Sequence, residues 1–454
     1  MKGYKFLIYS MKLRLLVNKK FQNLFKLKLL CLSVLITMYF FAVLFLLSSQ
    51  GAYSIPCITY DSSTKVITVT CNSASLTDID NQLNDNTILD KEEQQSNNGV
   101  WLLNAGIVVA DKATLYINST DTTWLKINAD GNTEHIIEVY GNLKIDSVKI
   151  TSWNPKTNDY AKIPAYDEDK EPELIPYIIV EGEATGTTDI TNSELAYLNY
   201  LSYYAGDGSV LKGNHIHDLW FGFYSKGVGD MVIEDNHVHD NTIYGLDPHT
   251  GTHDMTIRNN VVHGNGGIGI ICSLDCYNIT IEGNEVYNNA DSGIMFSINM
   301  YNSVARNNYV HDEAKGIFVS ASHNNEIYNN TVSDSGDGIY LKAESSNNKI
   351  YHNTIINATS NGILVNTGAS DNTFTSNTII NATDLGINVD EDSVNNKFEN
   401  NNLINSKVAE VEEQQPSNTV GQSDEEDAAA DEEDAAADEE DAAADEDEDE
   451  DDEE

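Results

Sequence analysis

Ile281-Glu282-Gly283-Asn284-Glu285-Val286, followed by a polar turn and then Gly293-Ile294-Met295-Phe296, is one copy of a unit that recurs along the chain after Ile190. Asparagine returns at 214, 236, 260, 284, 308, 330, 353, 377 and 401, in steps of 22 to 24 residues. Glycine keeps the same beat at 222, 245, 269, 293, 316, 338, 362 and 386. A period of this size, with several short apolar strands per unit and no helical pattern, predicts an all-β fold: a parallel β-helix solenoid. The leucine consensus that a leucine-rich repeat would need is absent. In such a solenoid the inward aliphatics stack into one core, and the asparagines can form a hydrogen-bonded ladder at a turn.

Equal positions in successive coils lie about 4.8 Å apart, so the repeat also predicts which outward residues are neighbours. Registering on glycine places Lys226, His249, Ser273, Ser297, Ser320 and Lys342 in one column. Tyr224, Asp247, Ile271, Met295, Phe318 and Tyr340 form the adjacent one. A carboxylate, an imidazole and a lysine one coil away thus converge. A further column, His217, His239, His263, Tyr287 and His311, follows the asparagines. It reads as a stacked outward turn, because no acid or cysteine alternates with it as in a metal site, and no bound metal is expected.

The net charge of -46 is unevenly spread. Residues 1–28, a basic flank, hold eight Lys or Arg and no acid, whereas residues 424–454 hold 22 Asp or Glu and no base. What lies between is itself acidic, which argues against nucleic acid as a partner. Leu29 to Leu47 is uncharged and precedes Ser48-Ser49-Gln50-Gly51-Ala52, so 29–52 reads as an export segment, either a cleaved signal peptide or an uncleaved membrane anchor with the N-terminus inside. The expected location is extracellular, cell-surface or periplasmic.

Export fits the five cysteines. Cys31 lies in the hydrophobic run. Cys57 and Cys71 bracket a hairpin that a disulfide could staple, and Cys272 and Cys276 form the second expected pair. Residues 53–99 are expected to be this hairpin followed by a polar loop or linker. Residues 100–408 are the solenoid, interrupted by a proline-rich excursion at Pro155, Pro164, Pro172 and Pro176. Residues 409–454 read as an acidic, disordered tail, since acids three and four apart repel along a helix.

Within the repeat, Tyr244-Gly245-Leu246-Asp247-Pro248-His249-Thr250-Gly251-Thr252-His253 stands out. A proline between an acid and a histidine restricts the backbone, holding both side chains in a set relation. As ordinary punctuation, Asp-Pro and Thr-Gly would mark a turn. This block, with Val148 to Trp153, Glu194 to Tyr200 and Phe221 to Tyr224, resembles the mannuronan C5-epimerases, most closely their periplasmic branch, over roughly residues 100–405.

The resemblance implies a right-handed parallel β-helix that converts mannuronate to guluronate within a polyuronate such as alginate. It implies a monomer with no required cofactor, calcium being the one ion left open. Tyr244, Asp247 and His249 match the family's active-site positions. His249 would be the general base, Asp247 would orient it or raise its basicity, and Tyr244 would return a proton from the other face of the sugar. Stacking adds Lys226 to neutralise the substrate carboxylate, with Tyr224 and Ser273 as neighbouring substrate contacts.

The chain departs from the periplasmic enzymes in two places. It has Ile268-Gly269-Ile270-Ile271-Cys272-Ser273-Leu274 where they have His-Gly-Ile-Ile-Ile-Ser-Arg, and Thr250-Gly251 where they have an acid and a base. The alternatives are an exported, non-catalytic glycan-binding or cell-surface β-helix and a polyuronate lyase. Copper handling by an exported β-helix would call for methionine and cysteine ligands that the repeat does not offer. Because the acidic repeats have no apolar surface to bury, deleting residues 424–454 should leave the melting temperature nearly unchanged in calorimetry; a fall of several degrees would show that they dock on the fold.

Overall fold

Each coil is built from strands of three to six residues whose alternate side chains point inward. In one sheet Ile233, Ile257, Ile281, Ala305, Ile327, Ile350, Phe374 and Phe398 stack coil on coil, all fully buried. The computed structural model describes residues 56–92, 99–163, 174–407 and 419–421. It divides into two units, Met1–Cys57 and Ile58–Glu454. Of the first, only Pro56 and Cys57 are described, so the basic flank, the export segment and the acidic repeats lie outside the described residues. No described helix is long and apolar enough to cross a membrane.

The second unit is the expected right-handed parallel β-helix, with three sheets of 14 strands each, here called A, B and C. Beyond two antiparallel pairs at its start, Ile58–Asp61 with Val66–Val69 and Leu89–Lys91 with Val100–Leu103, consecutive strands go to different sheets, so each sheet gains one strand per coil. Sheet A contains the hairpin Ile58–Asp61 and Val66–Val69, then runs in parallel register from Gly106–Val109 to Ile387–Val389. The solenoid sheets therefore begin before residue 100. Cys57 and Cys71 are disulfide-bonded, as expected.

The corner between sheets B and C explains the repeat. Gly213, Asp235, Asn259, Gly283, Asn307, Asn329, His352, Ser376 and Asn400 all have positive φ. Each precedes a ladder asparagine. This left-handed residue turns the chain sharply, a conformation that Gly, Asn and Asp tolerate best. The asparagine that follows bonds to both neighbouring coils: Asn284 Nδ2 donates to Asn308 Oδ1 of the next coil at 3.0 Å and to Ile257 O of the preceding one at 3.0 Å. Its backbone N–H also donates to Asn308 Oδ1, at 3.0 Å. The relay runs unbroken from Asn214 to Asn401. The repeating glycines have a different cause. A Cβ on Gly245 would stand 2.6 Å from the carbonyl oxygen of Gly269 in the next coil.

Three expectations are corrected. Residues 72–99 are not simply loop: Leu76–Leu83 is a helix, α1, with Leu76 and Ile79 buried. Ser75 and Asp78 form a capping box, with Asp78 N donating to Ser75 Oγ at 3.2 Å and Ser75 N donating to Asp78 Oδ2 at 2.9 Å. Cys272 and Cys276 are not joined. Both are buried, and the Cys276 thiol turns to the carbonyl oxygens of Ser273, at 3.1 Å, and Pro248, at 3.6 Å. Finally, within the expected tail, Thr419–Gly421 adds a parallel strand to Lys397–Glu399 in sheet B.

Asn284→Ala would leave the N–H of Asn260 and the carbonyl of Ile257 without these partners inside the stack. It should cost about 3 kcal/mol in denaturant unfolding, several buried hydrogen bonds being lost at once. A loss below about 0.5 kcal/mol would remove the ladder as a principal restraint.

Candidate active site and a histidine array

Sheet A brings Phe221–Lys226, Leu246–His249 and Ile270–Ser273 side by side. Tyr224 pairs with Asp247, Lys226 with His249, and His249 with Ser273. The stacking expected for the Lys226 column thus holds through Ser297 and Ser320 to Lys342. Strand alternation turns Leu246 into the core and places Asp247 and His249 on the opposite face. Pro248 brings no N–H to the ladder, and the pairing with the next strand is made at Leu246 and His249, on either side of the Asp247-Pro248 pair.

Asp247 is only 3% exposed, and its Oδ1 has no hydrogen-bond partner. Burial without compensation pushes its pKa well above the usual carboxylate range, so the neutral acid is favoured. His249 is half-buried, and its pKa is lowered, first by burial and then by the positive charge of Lys226. The imidazole is therefore mostly the free base near neutral pH. Its Nδ1 lies 2.6 Å from Thr250 Oγ1, and its ring centroid is 5.4 Å from that of Tyr224. Burial, then Tyr204, Asp247 and Cys276, push the Tyr224 phenol up to about 12.

One role is thereby reassigned. The hydrogen-bond partner of His249 Nδ1 is Thr250, where Asp247 was expected to orient the ring or raise its basicity. Thr250 was readable only as the residue following the motif. Tyr244 lies in the turn before the strand, edge-on to Phe221 at 5.6 Å between centroids. Lys226 is exposed and Ser273 is buried.

A cleft of ≈ 530 Å³ opens elsewhere, at the corner of sheets B and C, lined in part by Glu194, Asn214, His215, Asn236 and His237. The column His217, His239, His263, Tyr287 and His311 stacks in register as expected, but on strands of sheet C rather than in a turn. Beside it stands a pair that was overlooked, His215 and His237, in register one coil apart. The signals were the two His-x-His triplets, 215–217 and 237–239, and the acids that directly follow His217, His239 and His311. Asp218, Asp240 and Asp312 bond the Nδ1 atoms of those histidines at 2.8, 2.7 and 2.6 Å. The His215 pKa is pushed down to about 4, first by burial and then by the neighbouring histidines.

The family profile described as "Periplasmic copper-binding protein (NosD)" matches residues 174–362 and again 275–426, together more than half of the chain. A mannuronan C5-epimerase from Pseudomonas putida is 29% identical over 177 residues, which is 34% of this chain and 32% of that protein. One from Pseudomonas fluorescens is 30% identical over 175 residues, 34% of this chain and 31% of that protein. The chain thus spans about a third of the length of the curated relatives it matches. The crystal structure of the periplasmic alginate epimerase AlgG superposes with a TM-score of 0.62 at 20% identity, covering 76% of this chain and 85% of that one. The A-module of the Azotobacter vinelandii mannuronan C-5 epimerase AlgE6 superposes at 0.51 and 17% identity, covering 69% and 89%. The chain belongs to the NosD family, and it is mannuronan C5-epimerase-like.

Proposed function

We propose that this chain is an exported polysaccharide C5-epimerase that converts mannuronate to guluronate within an alginate-like polyuronate. The observation that carries the reading is the strand Leu246–His249, which presents a half-buried imidazole with a lowered pKa beside a buried carboxyl with a raised one, with Lys226 in register. The curated relatives named mannuronan C5-epimerase support it.

The C5 proton of a uronate is weakly acidic while the adjacent carboxylate bears full charge. Lys226 faces that carboxylate and neutralises it. His249, with Nδ1 engaged by Thr250, takes the C5 proton on Nε2. The C5–H electron pair then passes into the carboxyl group as an enediolate. Asp247, kept neutral by burial, donates a hydrogen bond to the oxygen on which charge grows; a carboxylic acid held protonated at neutral pH serves an enolate in this way. Tyr244 delivers a proton to C5 from the opposite face, and the two side chains recover their starting states through solvent. The Lys226 to Lys342 column spans five coil steps, or about 24 Å, and gives a bound polyanion a cation at each end.

Incubated with polymannuronate, the full chain should build up guluronate signals in the anomeric proton spectrum. His249→Ala should lower turnover by about 10² to 10⁴-fold with little change in stability, since it vacates no core volume. Tyr244→Phe distinguishes the neighbouring reaction: accumulation of unsaturated chain ends would reveal a lyase path. Binding of polymer with neither product would replace the enzyme by a glycan-binding module.

Asp247 also has a pH signature. Its folded pKa is raised, so above the ordinary value of about 3.9 the unfolded chain ionises first and stability falls as pH rises, until the folded group ionises too. Asp247→Asn should therefore be more stable than the parent at pH 7, with the difference vanishing below about pH 3.9. Equal stability at both pH values would mean that the acid is ionised in the folded protein, and would remove its role as donor.

A further inference from the structure

His215–His217 and His237–His239 are adjacent strands of sheet C. Ile216 and Val238 are buried in the core, so the two histidines of each strand stand outward on one face as a two-by-two array, which His263 extends by one coil. One ligating nitrogen each from His215, His237 and His239 lies within 4.8 Å of the other two. Nε2 of His215 is 2.6 Å from Nε2 of His239, and Nε2 of His237 is 2.8 Å from Nε2 of His263.

Stacking alone accounts for the outer column, where Tyr287 takes a histidine's place at 4.6 Å from His263 and 4.8 Å from His311. It does not account for a second pair of histidines whose Nε2 atoms converge on that column. Asp240 Oδ2 lies 2.7 Å from Nδ1 of His239, on the side of the ring away from the Nε2 atom that meets His215. A carboxylate behind an imidazole is the arrangement that orients metal-bound histidines and makes them better donors. Two imidazole nitrogens bound at about 2.1 Å to a tetrahedral ion stand roughly 3.3 Å apart, within reach of small ring rotations here.

We propose that His215, His237 and His239 form a binding site for a divalent transition ion of the imidazole-preferring kind, Zn²⁺ being the ion that an all-histidine set of this size fits. His263 lies at the edge of the site, and Asp240 is the positioning residue for His239. An all-nitrogen donor set disfavours Ca²⁺ and Mg²⁺, which take oxygen ligands. The cleft beside His215 and His237 gives an ion access and leaves room for water at the remaining coordination positions. The site lies on sheet C, whereas Asp247 and His249 lie on sheet A, so it stands or falls independently of the epimerase reading.

The test titrates Zn²⁺ into the full chain against a chromophoric chelator, at salt high enough to screen the acidic repeats. The expected result is one equivalent bound with a Kd on the order of 1 μM or tighter. Asp240→Asn should weaken binding by about 10 to 100-fold and the His215→Ala, His239→Ala double variant by more than about 100-fold, while His311→Ala, in the same column but outside the array, should change nothing. Zn²⁺ should raise the melting temperature of the parent but not of the double variant. With Cu²⁺, the electron paramagnetic resonance spectrum should show coupling to three nitrogens. Equal affinity in parent and double variant, Ca²⁺ binding as tight as Zn²⁺, or an equal loss in His311→Ala would overturn the proposal. Should the double variant fail to fold by circular dichroism, Asp240→Asn decides: unchanged affinity there rejects the site.

Discussion

The coil-to-coil relay of buried asparagines is the interaction on which the rest of the molecule depends. Each ladder residue receives hydrogen bonds from the coil before it and donates to the coil after it, within a stack that water does not reach. Inside that stack an unpaired amide would be costly, so the number of residues between successive asparagines is held near one value. Slipping a strand by one residue would exchange its inward and outward faces. Register at the corner between sheets B and C is therefore what sets Lys226 over His249 and His215 over His237, on two different sheets.

A regular scaffold makes its irregular positions conspicuous. In sheet A the break in regularity is Pro248, flanked by an acid and a base whose protonation states are shifted in opposite directions, both principally by burial. Burial thus disfavours the charged form of both groups on one strand. The described part of the chain is acidic on balance, so a polyanion would be drawn to local positive charge rather than to the surface as a whole. Lys226 and Lys342 supply it at the two ends of one column.

Sheet C shows the same principle with a different outcome. Outward positions two apart on a strand, repeated one coil later, create a grid of four side chains about 6.6 Å by about 4.8 Å at the backbone. Filled with histidines, the grid places nitrogen donors closer together than stacked rings alone would require. One scaffold thus carries two unlike chemical surfaces, because a β-helix specifies its core and leaves its outward columns free to vary.

The sequence by itself determined the solenoid, its period, the asparagine ladder and the columns through His249 and His239, because each follows from a repeat whose inward and outward positions alternate strictly. It also marked the Cys57 and Cys71 pair, which close a local hairpin. What it missed depended on direction and depth rather than spacing. Cys272 and Cys276 look like a disulfide at four residues' separation, yet Cys272 lies in the core and the Cys276 thiol turns to backbone carbonyls. Helix α1 was too short for periodicity to reveal, although Ser75 and Asp78 mark its start. The burial of Asp247, Thr250 as the partner of His249 and the convergence of His215 on His239 required tertiary structure, since burial and side-chain direction are set by neighbouring coils more than 20 residues away in the chain.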